Sequence, residues 1–340
     1  MTSKSEKNIS LAHGSGGTQM QELLQKIIRP ELDNKILREQ NDSAILENRG
    51  GELVFTTDSF VVQPIFFPGG DIGHLSVCGT VNDLAMMGAK PDALSLSLII
   101  EAGFEIESLK KIIISIKKTA DEAGVKIVTG DTKVVGPGQA DKIYINTSGV
   151  GWRKEKIPTG WNSVQSGDAV IVSGTIGHHG VAILAARAEL PFEKELKSDA
   201  AVLSNVTSAL TEKFPNVRWM RDATRGGVAA VLNELAVQTG FDIEVEDGSI
   251  PVTGEVRGAA EILGLDPLYL ANEGRFIIIC PDENSEEMLS FLKEYEVSKT
   301  AQKIGTITSP GNPGKVVLTT EYGSRRIIDM PSGEQLPRIC

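Results

Sequence analysis

The chain has 340 residues, of which 41% are hydrophobic and 23% charged, a composition that supplies a sizeable core and excludes wholesale disorder. Acidic residues number 45 and basic residues 34, so the formal net charge of −11 disfavours nucleic acid as a partner. We expect a cytoplasmic protein with no membrane contact, because the sequence shows neither an apolar stretch of about 18 residues nor a signal peptide in the polar, glycine-rich residues 1–17.

The first part of the chain alternates helical and strand patterns. Its first helix starts at Thr18, which together with Gln21 is compatible with a capping box, and is expected to end at Arg29 because Pro30 follows. Periodicity predicts helices over 18–29, 73–87 and 107–123, and strands over 44–46, 52–57, 93–100, 125–129 and 142–150.

A loop containing Pro158, Gly160 and Gly167 marks the boundary to a second part. There the patterns predict strands over 168–172, 241–245, 275–280, 304–307 and 315–319, and helices over 179–188, 199–213, 227–239 and 285–295. Alternating helices and strands indicate a mixed α/β (α+β) protein. We predict an N-terminal domain over 1–155, a C-terminal α/β domain over 156–332 and a mobile tail over 333–340.

Four aspartates are predicted to lie on loops or at strand ends of the N-terminal domain: Asp42, Asp58, Asp83 and Asp131. Asp58 and Asp131 directly follow predicted strands, which are rigid places from which to direct a side chain. Converging carboxylates suit Mg²⁺, a hard cation that keeps contacts to substrate phosphates. Alternatively, each aspartate caps a turn or a helix, as this residue commonly does.

Two further charged residues have a chemical and an ordinary interpretation. Lys133 lies two residues after Asp131 and is either a partner for phosphate or a solvated surface lysine; the segment Gly130–Val135 is not a P-loop. Glu273, in the segment Ala271–Gly274, is either a general base or an exposed residue of a turn.

Two glycine-rich segments precede predicted helices. His13–Gly17 suits an anion site at a helix N-terminus or a flexible tail. Arg221–Gly227 suits either an anion site or a tight turn in which Asp222 acts as a cap. The pair His178-His179 lacks a third ligand at zinc-like spacing, which favours a structural or capping role.

The three cysteines are far apart and odd in number, which argues against a disulfide framework. Cys78 and Cys280 lie in apolar segments and are expected to be small buried residues. Cys340 is the last residue. A terminal thiol preceded by Pro337 and Arg338 is either an accessible functional thiolate or an unimportant exposed cysteine.

Taken together, these segments resemble the HypE family of hydrogenase maturation proteins, within the aminoimidazole ribonucleotide synthetase superfamily. The resemblance runs nearly end to end, and the terminal PRIC is its most specific part. The matching segments are LAHGSGG (Leu11–Gly17), FTTDSFVVQPIFFPGGDIG (Phe55–Gly73), CGTVNDLAMMGA (Cys78–Ala89), IVTGDTKVV (Ile127–Val135), RDATRGGV (Arg221–Val228), ANEG (Ala271–Gly274) and PRIC (Pro337–Cys340).

The resemblance implies a two-domain, aminoimidazole ribonucleotide synthetase-like fold, in which N-terminal domains pair into a homodimer around a shared β-barrel with ATP beside the interface. It further implies that Glu273 acts near the reacting tail and that Lys133 assists catalysis. The residues that would hold Mg²⁺ and the ATP phosphates are Asp42, Asp58, Asp83 and Asp131, assisted by Asn82 and Lys133.

The implied activity is ATP-dependent dehydration of a carbamoyl group on Cys340 to a thiocyanate. A HypF-like carbamoyltransferase would supply the group, and a HypC–HypD-like iron-carrying complex would receive the cyanide for [NiFe] hydrogenase. Two other interpretations stay open: a purine-pathway-type amide synthetase acting on a free amide, and a non-catalytic carrier or scaffold of the maturation complex.

Overall fold

The computed structural model describes residues 7–15, 17–40, 43–154, 160–188, 196–311, 313–331 and 339. Asp42 and Cys340 lie outside the described residues, as does the predicted tail except for Ile339. Within the described part of the chain, no helix combines the length and the apolar character needed to cross a membrane.

The N-terminal part builds a four-stranded sheet with helices on one face. Its strands are β1 (Glu52–Phe60), β4 (Lys90–Glu101), β5 (Lys126–Val135) and β6 (Ile143–Arg153), and a small ribbon is formed by β2 (Phe66–Phe67) and β3 (Gly70–Asp71). The strand order is β1-β6-β4-β5, in which only β4 and β5 run parallel. Within the described part of the chain, β1 and β5 are therefore the edge strands of this sheet, and the Asn34 side chain donates to the Ile127 carbonyl of β5 at 2.8 Å.

Helices α4 (Ile72–Met86) and α5 (Ile106–Ala123) cover one face of this sheet. Asp71 caps α4 by accepting from the N–H groups of Gly73 and His74, and Gly124 ends α5 with a φ of +69°. Short helical segments at the N-terminus are α1 (Thr18–Leu23), a π-helical turn (Leu24–Ile28), α2 (Arg29–Leu32) and α3 (Lys35–Arg38).

The C-terminal part is a seven-stranded sheet of order β13-β12-β9-β11-β7-β10-β8. Its elements are β7 (Ala169–Val172), α6 (His178–Ala188), α7 (Ser204–Lys213), β8 (Trp219–Asp222), α8 (Gly227–Thr239), β9 (Phe241–Glu246), α9 (Gly254–Leu263), β10 (Phe276–Cys280), α10 (Ser285–Leu292), β11 (Gln302–Pro310), β12 (Val316–Thr319) and β13 (Arg325–Ile328). Every residue of β7 and β10 is buried, because apolar clusters cover both faces of these central strands.

The contact between the two parts explains why α4 is buried along most of its length. One side of α4 packs on α5 and the first sheet, and another packs on α7. The segment 198–203, called the interdomain segment below, runs along this contact without regular structure. Cys78 and Cys280 are both buried free thiols, which confirms the expectation for them.

Several predicted elements differ in extent from those observed. The first helical region continues past Arg29 because Pro30 occupies the first turn of α2, where its missing N–H has no helical role. Gly17, and not a capping side chain, precedes α1. Residues 44–46 are not a strand, and residues 199–203 have no regular secondary structure, so the predicted helix begins only at Ser204.

The structure also corrects the placement of two aspartates. The pairing of β1 with β6 continues to Phe60, and that of β5 with β4 continues to Val135. Asp58 and Asp131 therefore lie within strands rather than at their ends, which fixes the face of the sheet to which each side chain points.

Two helical glycines give opposite predictions for the same substitution. An alanine Cβ at Gly79 in α4 would lie 2.8 Å from the Phe60 ring, whereas one at Gly258 in α9 would meet nothing within 4 Å. We expect Gly79→Ala to lower the free energy of unfolding by about 1–3 kcal/mol through overpacking. Gly258→Ala should raise it by about 0.5–1 kcal/mol through helix propensity. Denaturant unfolding of both variants measures the change in the free energy of unfolding. Equal changes in the two variants would contradict the close packing of Gly79 against Phe60.

Candidate functional site

Asp58 and Asp83 face each other between the first sheet and α4. Asp58 pairs with Thr147 of β6, whose hydroxyl donates to the Ser76 carbonyl of α4 at 2.9 Å, so this row of the sheet faces the helix. Asp83 lies on α4 itself and accepts from the Thr56 hydroxyl at 2.8 Å. Thr56 and Asp58 are two residues apart on one strand and therefore share this face.

The charges at this point interact across the contact between the domains. Burial raises the pKa of Asp58, which the neighbouring Asp83 raises further and Arg225 opposes. Burial also raises the pKa of Asp83, against the bond from Thr56 and the charge of Arg221. Both arginines come from the C-terminal part, so the domain contact itself sets the electrostatics of the pair.

Asp222, at the end of β8, is the third carboxylate of this cluster. Burial raises its pKa to about 7, and Asp83 and Asp58 contribute in the same direction while Arg221 opposes them. Asp222 does not cap the following helix, because Gly226, with a φ of +75°, precedes α8. The sequence indicated the Arg221–Gly227 segment as a candidate site. It did not indicate that Asp222 lies near carboxylates of the other domain.

Asp131 and Lys133 form a separate pair on the other face of the sheet. Lys133 Nζ lies 2.9 Å from Asp131 Oδ2, and the two side chains are 66% and 58% exposed. This ion pair is the largest cause of the lowered pKa of Asp131. Asp131 is in register with Ser97 and through it with Asn146, whose amide donates to Ser59 on the open face.

One chain does not bring this pair to Asp58 and Asp83. Between Asp131 on β5 and Ser59 on β1 lie three strand spacings, or about 14 Å, and Asp58 points to the opposite face from Asp131. Among the described residues, no group of three His, Cys, Asp or Glu side chains is placed to hold a metal ion. The carboxylate set predicted for Mg²⁺ is thus not assembled within the described part of a single chain.

A cavity of about 260 Å³, lined by apolar and polar side chains, lies beside Asp131. Leu24, Ile28 and Leu32 of the N-terminal helical region form one wall, and Leu96 and Ile127 of the sheet form another. A planar apolar group bound there would have Asp131 at the edge of its pocket.

Asn82 is buried with both ends of its amide engaged. Its Oδ1 accepts from the Leu203 N–H at 2.8 Å, and its Nδ2 donates to the Ala201 carbonyl at 3.0 Å and to the Glu273 carbonyl at 3.4 Å. In this arrangement Asn82 fastens the interdomain segment to α4, with its polar atoms directed at protein groups.

Glu273 is buried at the same contact, with 3% of its surface exposed, so the interpretation as an exposed turn residue is wrong. Its N–H donates to Asp199 Oδ1 at 3.1 Å. The next residue, Gly274, passes so close to the Asp199 carbonyl that a Cβ would lie 1.9 Å from it. The interdomain segment therefore fixes the backbone on which Glu273 is mounted.

The penultimate residue of the chain also lies here. Ile339 is 3% exposed and belongs to the N-terminal apolar cluster, which includes Phe67, Ile183 and Val202. Its carbonyl oxygen accepts a hydrogen bond from His179 Nε2 at 2.7 Å. His178 has a different environment, with Nε2 3.4 Å from the Thr253 hydroxyl. The two histidines thus have structural partners, as the sequence favoured.

The chain matches the family models for AIR synthase related protein, N-terminal domain over 40–152 and C-terminal domain over 165–317. It is 44% identical over 333 residues to carbamoyl dehydratase HypE of Cupriavidus necator, covering 98% of this chain and 95% of the relative. The chain belongs to the HypE family.

Solved structures agree with this assignment. A crystal structure of hydrogenase maturation protein HypE in complex with ATP has a TM-score of 0.93 and 43% identity, covering 97% of this chain and 99% of that one. The HypE chain matched in a HypE–HypF complex has a TM-score of 0.80 and 43% identity, covering 93% and 100%. The predicted family and the two-domain mixed α/β fold are confirmed. The domain limits and the roles of individual site residues stay predictions for this HypE chain.

The raised pKa of Asp222 predicts a pH-dependent stability. The folded protein keeps a proton that the unfolded chain releases at about pH 4, so stability is lost as the pH rises from about 4 to 7. Asp222→Asn removes this loss. Without divalent cations, we expect a gain over the native protein that is larger at about pH 8 than at about pH 5 and below about 4 kcal/mol, since water screens a half-buried group.

Thermal unfolding at both pH values measures the effect. Asp131→Asn is the control, because the pKa of Asp131 is lowered and its removal should give no stabilisation at high pH. A gain from Asp222→Asn that does not grow with pH would show that its carboxylate ionises normally.

Proposed function

We propose that this chain is an ATP-dependent carbamoyl dehydratase that converts a carbamoyl group on the Cys340 thiol into a thiocyanate. The observation that carries the proposal is the placement of Ile339, the residue before Cys340, at the contact that also buries Glu273. Full-length identity of 44% to a carbamoyl dehydratase HypE supports the same reaction.

The reaction balances as thiocarboxamide plus ATP giving thiocyanate, ADP and phosphate. The amide oxygen attacks the γ-phosphorus and ADP leaves, which turns a poor leaving group into a phosphate ester. One N–H proton is removed at this stage. Loss of the second N–H proton, as the carbon–oxygen bond breaks and phosphate departs, completes the carbon–nitrogen triple bond.

Glu273 is our candidate for the base that takes these protons. Its burial excludes water from the reacting nitrogen, and its backbone is fixed by Asp199 on one side and by Asn82 on the other. Lys133 is our candidate for the cation that offsets charge on the transferring phosphoryl group, since its ammonium group is more than half exposed and Asp131 orients it.

The half-buried carboxylates suit a divalent cation. Asp58, Asp83 and Asp222 offer hard oxygen ligands, and their raised pKa values show that neutralisation of their charge is favourable. We propose that these three, together with Asp42 and Asp131, supply ligands for Mg²⁺. When bound, Mg²⁺ would neutralise phosphate charge.

We further propose a homodimer that completes this site. The open face of the first sheet exposes Leu53, Phe55 and Ile99, and among the described residues each of its two edge strands has a strand partner on one side only. Pairing β1 of each chain with β5 of the other closes two four-stranded sheets into an eight-stranded barrel. That pairing would bring β1, which carries Asp58, next to the partner's β5, which carries Asp131 and Lys133, and next to the cavity beside Asp131, which would take the adenine base.

The proposed partners follow from the same chemistry. A HypF-like carbamoyltransferase would load the tail, in keeping with the HypE–HypF complex solved for relatives. A HypC–HypD-like iron-carrying complex would receive the cyanide, and a cytoplasmic location stays our prediction.

The terminal thiol is tested by Cys340→Ala, which should abolish carbamoyl acceptance and leave ATP binding intact. Cys280→Ala is the matched control, because that thiol is buried in the core of the other domain and should leave acceptance unchanged. Mass spectrometry of the intact chain after incubation with the carbamoyltransferase reads both results. Acceptance by Cys340→Ala would overturn the proposal and favour a synthetase that acts on a free amide.

The dehydration step is tested on a chain that already carries the carbamoyl group. Lys133→Ala and Glu273→Gln should each slow the ATP-dependent loss of one water from the tail by about 100-fold or more. Lys299→Ala is the control, since Lys299 pairs with Glu296 on an exposed surface. Unchanged rates for both test variants would exclude Lys133 and Glu273 from the reaction, whereas a native chain that loses no water with ATP would favour a carrier or scaffold.

A further inference from the structure

His179 has a set of contacts that the reaction described above does not use. Its ring is fully buried at the start of α6 and meets the Phe67 ring edge-on, with centroids 5.7 Å apart and planes at 86°. It therefore lies between an element of each domain, next to the point at which Ile339 enters the core.

The hydrogen bonds of His179 define its tautomer. The Ser198 hydroxyl oxygen accepts from the Ala200 N–H at 3.1 Å, so the Ser198 proton is available for His179 Nδ1 at 2.8 Å. With Nδ1 accepting, the ring proton resides on Nε2 and is donated to the Ile339 carbonyl at 2.7 Å. Burial lowers the pKa of His179, which keeps the ring in this neutral form.

The contact with Ile339 has a polar and an apolar part. His179 donates to a main-chain carbonyl, which holds the tail backbone at this position. The isoleucine side chain belongs to the apolar cluster that includes Phe67 and Ile183. Together the two parts fix the residue that immediately precedes Cys340 in both position and rotation.

The same short segment connects this contact to the candidate base. Ser198 orients His179, and its neighbour Asp199 binds the N–H of Glu273. The Ser198 N–H in turn donates to the Pro68 carbonyl of the N-terminal domain at 2.8 Å. Two adjacent residues of this segment, Ser198 and Asp199, therefore position both His179, which binds the tail, and the backbone of Glu273.

We propose that His179 is a positioning residue that docks the C-terminal tail by donating to the Ile339 carbonyl, and that it is required for dehydration but not for carbamoyl loading. The catalytic part of this inference rests on the proposed function; the docking part does not. Loading takes place at a partner, where the tail must be undocked, so loss of the dock should leave that step intact.

The test compares full-length variants that keep or lose the donor. His179→Gln retains an N–H donor of similar reach, His179→Leu removes it, and Ile339→Ala removes most of the apolar side chain that the tail places in the N-terminal cluster. His178→Leu is the matched control, because the neighbouring His178 contacts Thr253, whereas the Ile339 carbonyl bonds to His179.

The first measurement needs neither ATP nor a partner. Alkylation of Cys340 by iodoacetamide, followed by mass spectrometry of the C-terminal peptide, should be about tenfold faster in His179→Leu than in the native chain, the effect of losing one buried hydrogen bond. It should be accelerated by at least as much in Ile339→Ala, which loses buried apolar surface. His179→Gln and His178→Leu should alkylate at the native rate. Should His179→Leu fail to fold, Ile339→Ala decides the question, and a native rate in Ile339→Ala overturns the docking.

The second measurement follows a single turnover of the carbamoylated chain at saturating ATP. His179→Leu should lose water about tenfold more slowly than the native chain, with rescue by His179→Gln, while carbamoyl loading and ATP affinity are unchanged. If His179→Leu loses water more slowly than the native chain but its Cys340 is alkylated no faster, the positioning role is overturned. If the native chain itself forms no thiocyanate, the proposed function fails and the alkylation result still decides the docking.

Discussion

The arrangement of the two domains depends on how the interdomain segment, residues 198–203, satisfies its backbone. Irregular chain buried at a domain contact has no ladder of its own, and each unpaired polar group would cost stability. Side chains of the N-terminal domain supply the partners: His74 bonds to the Ala200 carbonyl and Asn82 bonds to both sides of the segment. The segment passes this fixed geometry on to Glu273 and, through Ser198, to His179.

The acidic cluster carries a stability cost while its carboxylates are ionised. Burial raises the pKa of all three, Asp83 raises that of Asp58 further, and both raise that of Asp222, while the arginines of the C-terminal domain offset this only in part. A protein retains such an arrangement where binding repays the loss. Asp131 and Lys133 lie on the opposite face and edge of the sheet, so one chain keeps them apart from the acidic cluster, and the proposed phosphate site needs both. Dimerisation through the sheet edges would then be part of the site itself.

The sequence predicted well those elements whose limits are set by residues close by in the chain. Helix α5 was predicted nearly to the residue, because its apolar stripe and Gly124 both lie in the sequence. The ends of β1 and β5 were not, because hydrogen bonds from neighbouring strands extend them through Asp58 and Asp131. Residues 199–203 contain good helix formers, yet their bonds to the N-terminal domain keep them out of the helix that begins at Ser204.

The candidate site residues divide in the same way, into those that their own segments indicated and those that depend on contacts distant in sequence. Asp58, Asp83 and Glu273 were found from their segments, and all three lie at the domain contact, two of them as near neighbours. The structural role of Asn82 and the link of Asp222 to the cluster depend on contacts between residues more than one hundred positions apart, which spacing cannot show. His179 was predicted only as a structural residue, since the tail that it binds is distant in sequence.

A tail that delivers a substrate must dock weakly enough to leave. One buried isoleucine contributes about 1.5–3 kcal/mol and one hydrogen bond about 1 kcal/mol, while ordering the tail opposes both. The net preference of Ile339 for its site is therefore small enough for a partner to overcome by binding the undocked tail. A deeper apolar anchor would speed dehydration at the expense of loading. A main-chain bond from one neutral histidine gives the required position with little affinity, and that balance allows a single thiol to serve two active sites.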